Sequence, residues 1–146
     1  MNMALSDDIV QRLDDSRVIL EKVYEKLDPE NYTKAYKDIW KVRSEIEFIV
    51  ISLKLLNNLE ENEIGVKWKE EFSQTLKQVR SESKIRQVFL ETFDLYNKLE
   101  RIENIIEFYR ICWKLKEKLT ILLNVVKPKH KRSQESESKI KKSKSS

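Results

Sequence analysis

Apolar residues recur at intervals of three and four along most of this chain, the period of an amphipathic helix. Ile9, Leu13, Leu20, Val23 and Leu27 form the first stripe, with Ser16 as its one polar member. Ser6 followed by Asp7 and Asp8 predicts where that helix starts. A serine hydroxyl accepts from an unpaired amide, and first-turn carboxylates suit the positive end of the helix dipole. Asp28-Pro29 predicts a second start near residue 29, with the aspartate as N-cap and the proline where no amide hydrogen is needed.

The second helix carries the strongest pattern. Tyr32, Ala35, Ile39, Val42, Ile46, Ile49, Leu53 and Leu56 fill every a and d position of four heptads. That spacing predicts one long helix packed in a bundle or coiled coil. Its opposite face should be solvated, yet Trp40, Phe48, Ile51 and Leu55 form a second stripe there, interrupted only by Ser44. Two apolar faces require two neighbours. Either the chain covers this helix on both sides, or the second stripe meets another subunit or a second copy.

Gly65, the one glycine, marks a turn after NNLEENEIG, and Trp68, Phe72, Leu76 and Val79 predict a helix beyond it. Ser81 and Ser83, within RSESK at 80–84, supply the next turn signal. From Ile85 onward one stripe runs Ile85, Val88, Leu95, Leu99, Ile102, Ile106, Tyr109 and Trp113. Another runs Ile105, Phe108, Cys112, Leu115, Leu119, Leu122 and Val126. The stripes overlap between residues 102 and 113, so the helix either breaks between Asn97 and Asn104 or continues and is buried on both sides. The lack of any Gly or Pro there favours continuity. Ile102, Ile106, Tyr109 and Trp113 then join Trp40, Phe48, Ile51 and Leu55 as expected partner-facing residues. Pro128 closes the last helix, because proline disfavours helical geometry in the residue before it.

Composition agrees with this pattern. One Gly and two Pro among 146 residues are too few turn-formers for a hairpin-built sheet. The expected fold is all-α: an antiparallel bundle of three to four long helices over residues 1–126, then a disordered basic tail over 127–146. A chain of this length can bury a core without disulfides or metal. Cys112 is the only cysteine, which fits a reducing compartment. The N-terminus MNMALSDD lacks the apolar stretch of a signal peptide, and the longest apolar run, Phe48 to Ile51, cannot span a bilayer. The expected location is intracellular: cytoplasmic, or nuclear in a eukaryote.

Charge separates the tail from the body. Lys127, Lys129, Lys131, Arg132, Lys139, Lys141, Lys142 and Lys144 outweigh Glu135 and Glu137 to give the tail +6. The overall charge is +4, so the preceding 126 residues carry −2. With Ile140 as its one large aliphatic, no aromatic and six serines, the tail cannot bury enough surface to offset the entropy of ordering. Its cations predict salt-sensitive, sequence-indifferent contact with nucleic acid. KHKR at 129–132 and KIKK at 139–142 also fit a nuclear-localisation signal, the serines fit phosphorylation, and the charge fits plain solubility. On the helices, Arg110, Lys114 and Lys118 recur every four residues near Trp113, and Lys34, Lys37 and Lys41 make a shorter row. Either row can track a phosphate backbone or serve as an ordinary exposed face, with Glu103, Glu107 and Glu117 close to the first.

Catalytic chemistry lacks an inventory. His130, the only histidine, lies among lysines in the tail, and Lys127 stands where a Glu-x-x-His metal motif needs its glutamate. No arginine precedes His130 at the spacing of HEPN-type ribonucleases. The pairs Asp7-Asp8, Asp14-Asp15, Glu60-Glu61 and Glu70-Glu71 occupy consecutive positions, about 100° apart on a helix, and do not converge on a cation. Cys112 sits in an apolar stripe without a histidine partner, and no Gly-rich phosphate loop occurs. The expectation is a protein with no catalytic residues, no metal and no cofactor.

EKLDPENYTKAYKDI at 25–39 and IIEFYRICWKLKEKLTILL at 105–123, about a quarter of the chain, resemble the helical domain of archaeal GINS subunits. Those subunits are non-catalytic members of a replicative helicase assembly, and usually add a small β domain that this sequence lacks. The resemblance implies a helical accessory subunit with no chemistry of its own. The functional expectation is such a subunit in a larger nucleic-acid-processing complex, docking through surplus apolar faces and touching DNA or RNA through the tail. The alternative is a purely protein-interacting or self-associating bundle.

Overall fold

The computed structural model describes residues 7–59 and 82–127, the side chains of residues 82 and 83 excepted. Within them the chain forms four α-helices and no strand: α1 (Asp7–Glu25), α2 (Tyr32–Asn57), α3 (Glu82–Leu99) and α4 (Ile105–Val126). The all-α expectation holds. The expected helix around Trp68 to Val79, the Gly65 turn and the tail from Pro128 lie outside the described residues. Ser83 and Lys84, expected in a turn, are already helical.

Each helix packs against two others in a closed ring: α1 on α2, α2 on α4, α4 on α3, and α3 back on α1. Polar bonds across the seams fix the directions. Arg12 reaches Glu45 at 2.7 Å, Arg43 reaches Thr120 at 2.7 Å, Lys118 reaches Glu91 at 3.0 Å, and Arg17 reaches Glu100 at 3.1 Å. With Lys116 to Glu47 at 3.7 Å and Arg86 to the Leu27 carbonyl at 3.3 Å, two bonds each show α2/α4 and α1/α3 to run antiparallel, and the short links at 26–31 and 100–104 turn α1 into α2 and α3 into α4. Part-exposed ion pairs of this kind contribute about 0–1 kcal/mol each, so they set register more than stability.

Stability comes from the apolar stripes. Ile39, Val42, Ile46, Ile49 and Leu53 of α2 are buried completely, against Leu20 of α1 and Leu115, Leu119 and Leu122 of α4 in the same core. Asp28 accepts from the Glu30 amide at 3.0 Å, as its cap role predicts, but Pro29–Asn31 forms one 3-10 turn before α2 begins. Asn58, at φ 52°, ends α2 in the left-handed region that asparagine tolerates. Leu56, expected in the core, is instead 63% exposed. The Arg12–Glu45 pair places Asp7 level with about Val50 of its antiparallel neighbour, so the last turns of α2 outrun the described part of α1.

The helix after Ile85 is not continuous. α3 stops at Leu99, and Asn104 opens α4 by accepting from the amides of Ile106 at 2.9 Å and Glu107 at 3.2 Å. An asparagine side chain satisfies the free amides of a new first turn, so a helix can end here without Gly or Pro. Breaking the helix lets each stripe bury separately. α3 also buries Phe89, Thr92 and Tyr96, which the sequence stripe omitted. Phe89 packs with Tyr24 at 5.4 Å between ring centroids.

Two buried hydroxyls are satisfied in the core. Ser16 Oγ donates to the Leu13 carbonyl at 2.8 Å, which leaves Tyr96 Oη to donate to Ser16 Oγ, also at 2.8 Å. Tyr109 Oη and Trp113 Nε1, by contrast, are buried and find no hydrogen-bond partner among the described residues. Burial pushes the Tyr96 phenol well above its ordinary range against the opposing pull of the Ser16 bond, and burial pushes the Cys112 thiol up likewise. Both stay protonated in the fold and ionise in the unfolded chain. Their stabilising effect is therefore whole below the unfolded values of about 8.5 for Cys and 10 for Tyr, and falls as pH climbs beyond them. Tyr109→Phe should leave the thermal midpoint unchanged or raised. Tyr96→Phe should cost about 1 kcal/mol at neutral pH and lose less stability than the parent between about pH 10 and 11. Thermal melts across that pH range check both.

Candidate interaction surface

Burial on one side of α2 leaves the other side uncovered. At 100° per residue, positions 34, 37, 41, 44, 48, 51 and 55 fall on one arc opposite the buried stripe. Trp40 stands at its edge. Trp40, Phe48, Ile51 and Leu55 are 54%, 45%, 52% and 73% exposed. The chain's described helices thus do not cover this helix on both sides. Ser44 interrupts the stripe as a local feature, donating back to the Trp40 carbonyl at 2.9 Å.

A cation lies over the Phe48 ring. The Arg12 guanidinium lies 4.2 Å from its ring centroid, held there by Glu45 at 2.7 Å and Asp8 at 3.0 Å. Those two hydrogen bonds, Glu45 first, raise the Arg12 pKa above its ordinary value. The cation covers one face of the ring, drawn by the negative charge of its π system, and Phe48 stays 45% exposed.

The N-terminal half of the same arc is basic. Lys34, Lys37 and Lys41 are exposed, and no ion pair engages them among the described residues. With Tyr36, Asp38 and Trp40 they line one open depression. Sequence reading took the lysine row and the apolar stripe as separate features; the helix makes them one seam, and their shared three-and-four register was the available signal.

The other expected row behaves differently. Arg110 pairs with Glu107 at 2.9 Å and Lys118 with Glu91 of α3 at 3.0 Å, leaving Lys114 exposed between them. Lys127 is exposed at the end of α4, while Lys129, Lys131, Arg132, Lys139, Lys141, Lys142 and Lys144 lie outside the described residues.

The second expected docking strip is also revised. Tyr109 is completely buried, and Ile102, Ile106 and Trp113 are partly buried against the core. Trp113 lies edge-on to Tyr109 at 6.4 Å and beneath the Lys116 ammonium at 4.3 Å, both within α4. This corrects the expectation of a free face there. The stripe ran unbroken in sequence, but the helix break turns its second half inward.

Among the described residues no group of His, Cys, Asp or Glu side chains could hold a metal ion, and no helix is long and apolar enough to cross a membrane. No family model, no curated protein and no solved structure matches this chain. Its function has to be argued from the surface itself. Ile51→Ser combined with Leu55→Ser should move the thermal midpoint by only a few degrees, because both side chains are already in water. Ile49→Ala, one turn inside, should cost about 2–5 kcal/mol. A melt of the double variant that falls as far as that of Ile49→Ala would show the outer face to be packed within the chain.

Proposed function

We propose that this protein is a non-catalytic helical accessory subunit that docks on a protein partner through the outward face of α2, with its basic tail adding non-specific contact to nucleic acid. One observation carries the docking: four large apolar side chains, about half or more exposed, lie along one side of a helix whose other side buries Ile39, Val42, Ile46, Ile49 and Leu53 completely. Single exposed leucines are normal on any protein. A contiguous stripe is not, because it leaves apolar area in water that a partner would remove.

The nucleic-acid part rests on charge. Eight cations from Lys127 onward, against two carboxylates, are concentrated beyond a body of net −2. If about five of them met phosphates on duplex DNA, log affinity would fall against log salt with a slope of about −4 to −5. A purely protein-binding module is the second reading, favoured by the pairing of Arg110 and Lys118 with carboxylates, which leaves α4 without an open row of cations.

Two measurements separate these parts. Duplex binding across a salt series should show that slope for the full chain and lose it on deletion of 127–146; equal binding by both chains removes nucleic acid from the proposal. A photo-crosslinker at Leu55 should give a discrete adduct in native lysate that the same group at Glu25, exposed on α1, does not give. Matching adducts from both positions would remove the docking role.

A further inference from the structure

We infer that the occupant of α2's outward face is an amphipathic helix whose contact stripe is acidic along one half and apolar along the other. This rests on the docking role proposed above and names the partner's chemistry. The seam from Lys34 to Leu55 keeps heptad spacing over 22 residues, about 30 Å of helix. Its first three contact positions are lysines that form no ion pair among the described residues, its last three are Phe48, Ile51 and Leu55, and Ser44 separates them. Sustained a/d spacing on an uncovered helix face is the geometry that accepts another helix.

Charge then selects among occupants. A second copy laid parallel would bring Lys34, Lys37 and Lys41 against their own duplicates, three like-charge contacts in one seam. Laid antiparallel about Ser44, it would set the same lysines against Leu55, Ile51 and Phe48, and the ammonium groups would lose water without gaining a partner. A nucleic-acid strand could take the lysines and stack on Trp40, but would leave Phe48, Ile51 and Leu55 wet. A lipid surface prefers cations on the flanks of an apolar stripe, whereas here they lie in line with it and would be carried to the depth of Ile51. A helix with carboxylates opposite the three lysines and aliphatic side chains opposite the other three satisfies the whole seam. The lysine stems add apolar cover beneath the ion pairs.

The test uses the full chain and synthetic three-heptad peptides labelled for fluorescence anisotropy. Each has six contact positions, leucine at the three of one half and either glutamate or lysine at the three of the other, with the charged half at one end or the other to allow both chain directions. In one direction the glutamate peptide should bind at least about tenfold more tightly than its lysine counterpart, about 1.4 kcal/mol. Combining Lys34→Glu, Lys37→Glu and Lys41→Glu should reverse that preference, and Ile51→Ser with Leu55→Ser should weaken both peptides. Equal binding of the two peptides refutes the acidic partner while leaving docking intact. A single-stranded oligonucleotide that outcompetes the glutamate peptide, and is itself lost on the same lysine reversals, overturns the inference in favour of nucleic acid. If neither peptide binds, thiol labelling of Ile51→Cys and Leu55→Cys shows why, since Cys112 is fully buried and adds no background. Blocked thiols mean that the chain or a second copy already covers the face, and sedimentation tells which. Freely reacting thiols mean that the face rejects this chemistry. Either result overturns the inference.

Discussion

A helix in a four-membered ring touches two neighbours, and this limit decides what the protein shows to solvent. α2 spends one side on α1 and α4, which bury Ile39, Val42, Ile46, Ile49 and Leu53 completely. No described helix is left for its other side. The side chains there are as apolar as many in the core, so their exposure follows from topology and not from local composition. The cross-helix bonds of Arg12, Arg43 and Lys118 hold the register that keeps this division fixed. Sliding α2 by one residue would turn it about 100° and drive Lys41 toward the core.

The polar groups inside the ring reinforce one register more than they stabilise it. Ser16 and Tyr96, 80 positions apart in sequence, meet at 2.8 Å and leave neither hydroxyl unsatisfied. Any other alignment of α1 on α3 would strand the Tyr96 hydroxyl at a cost of about 1–3 kcal/mol, while Ser16 would keep its bond to the Leu13 carbonyl. Thr92 solves the same problem locally, donating to the Val88 carbonyl at 2.6 Å. Tyr109 and Trp113 are the counterexample: one ring lies in the core and the other packs against it, and their polar atoms are left over. Packing outweighs one hydrogen bond in that place.

Much of this was legible in the sequence, and the failures share a cause. Helix periodicity located α1 and α2, the Asp28 cap and most of the core, because those features depend on neighbours within a few residues. Of the two readings of residues 97–104, continuity was favoured over a break, since an asparagine looks the same in a helix interior as at a cap until something competes for its side chain. Tyr109 was misplaced as a consequence. Leu56 fits its heptad, but exposure there depends on how far α1 extends alongside, which no window of α2 contains. Lys118 read as a free cation because its carboxylate, Glu91, sits 27 positions away on another helix. Sequence reads what a segment wants to bury. Which wants are met depends on the ring.

Under the proposed function the cations of the tail and those of α2 would do different work. Counterion release depends on how many charges approach a phosphate backbone and hardly on how they are arranged, so a tail of +6 needs no fixed geometry to serve it. Helix docking depends on arrangement. Lys34, Lys37 and Lys41 are held on one arc in line with Phe48, Ile51 and Leu55, and only a ligand of matching period can use both halves. Salt should loosen either interaction, but on α2 the apolar half does not respond to screening. A contact made there would therefore outlast one made by the tail as ionic strength rises.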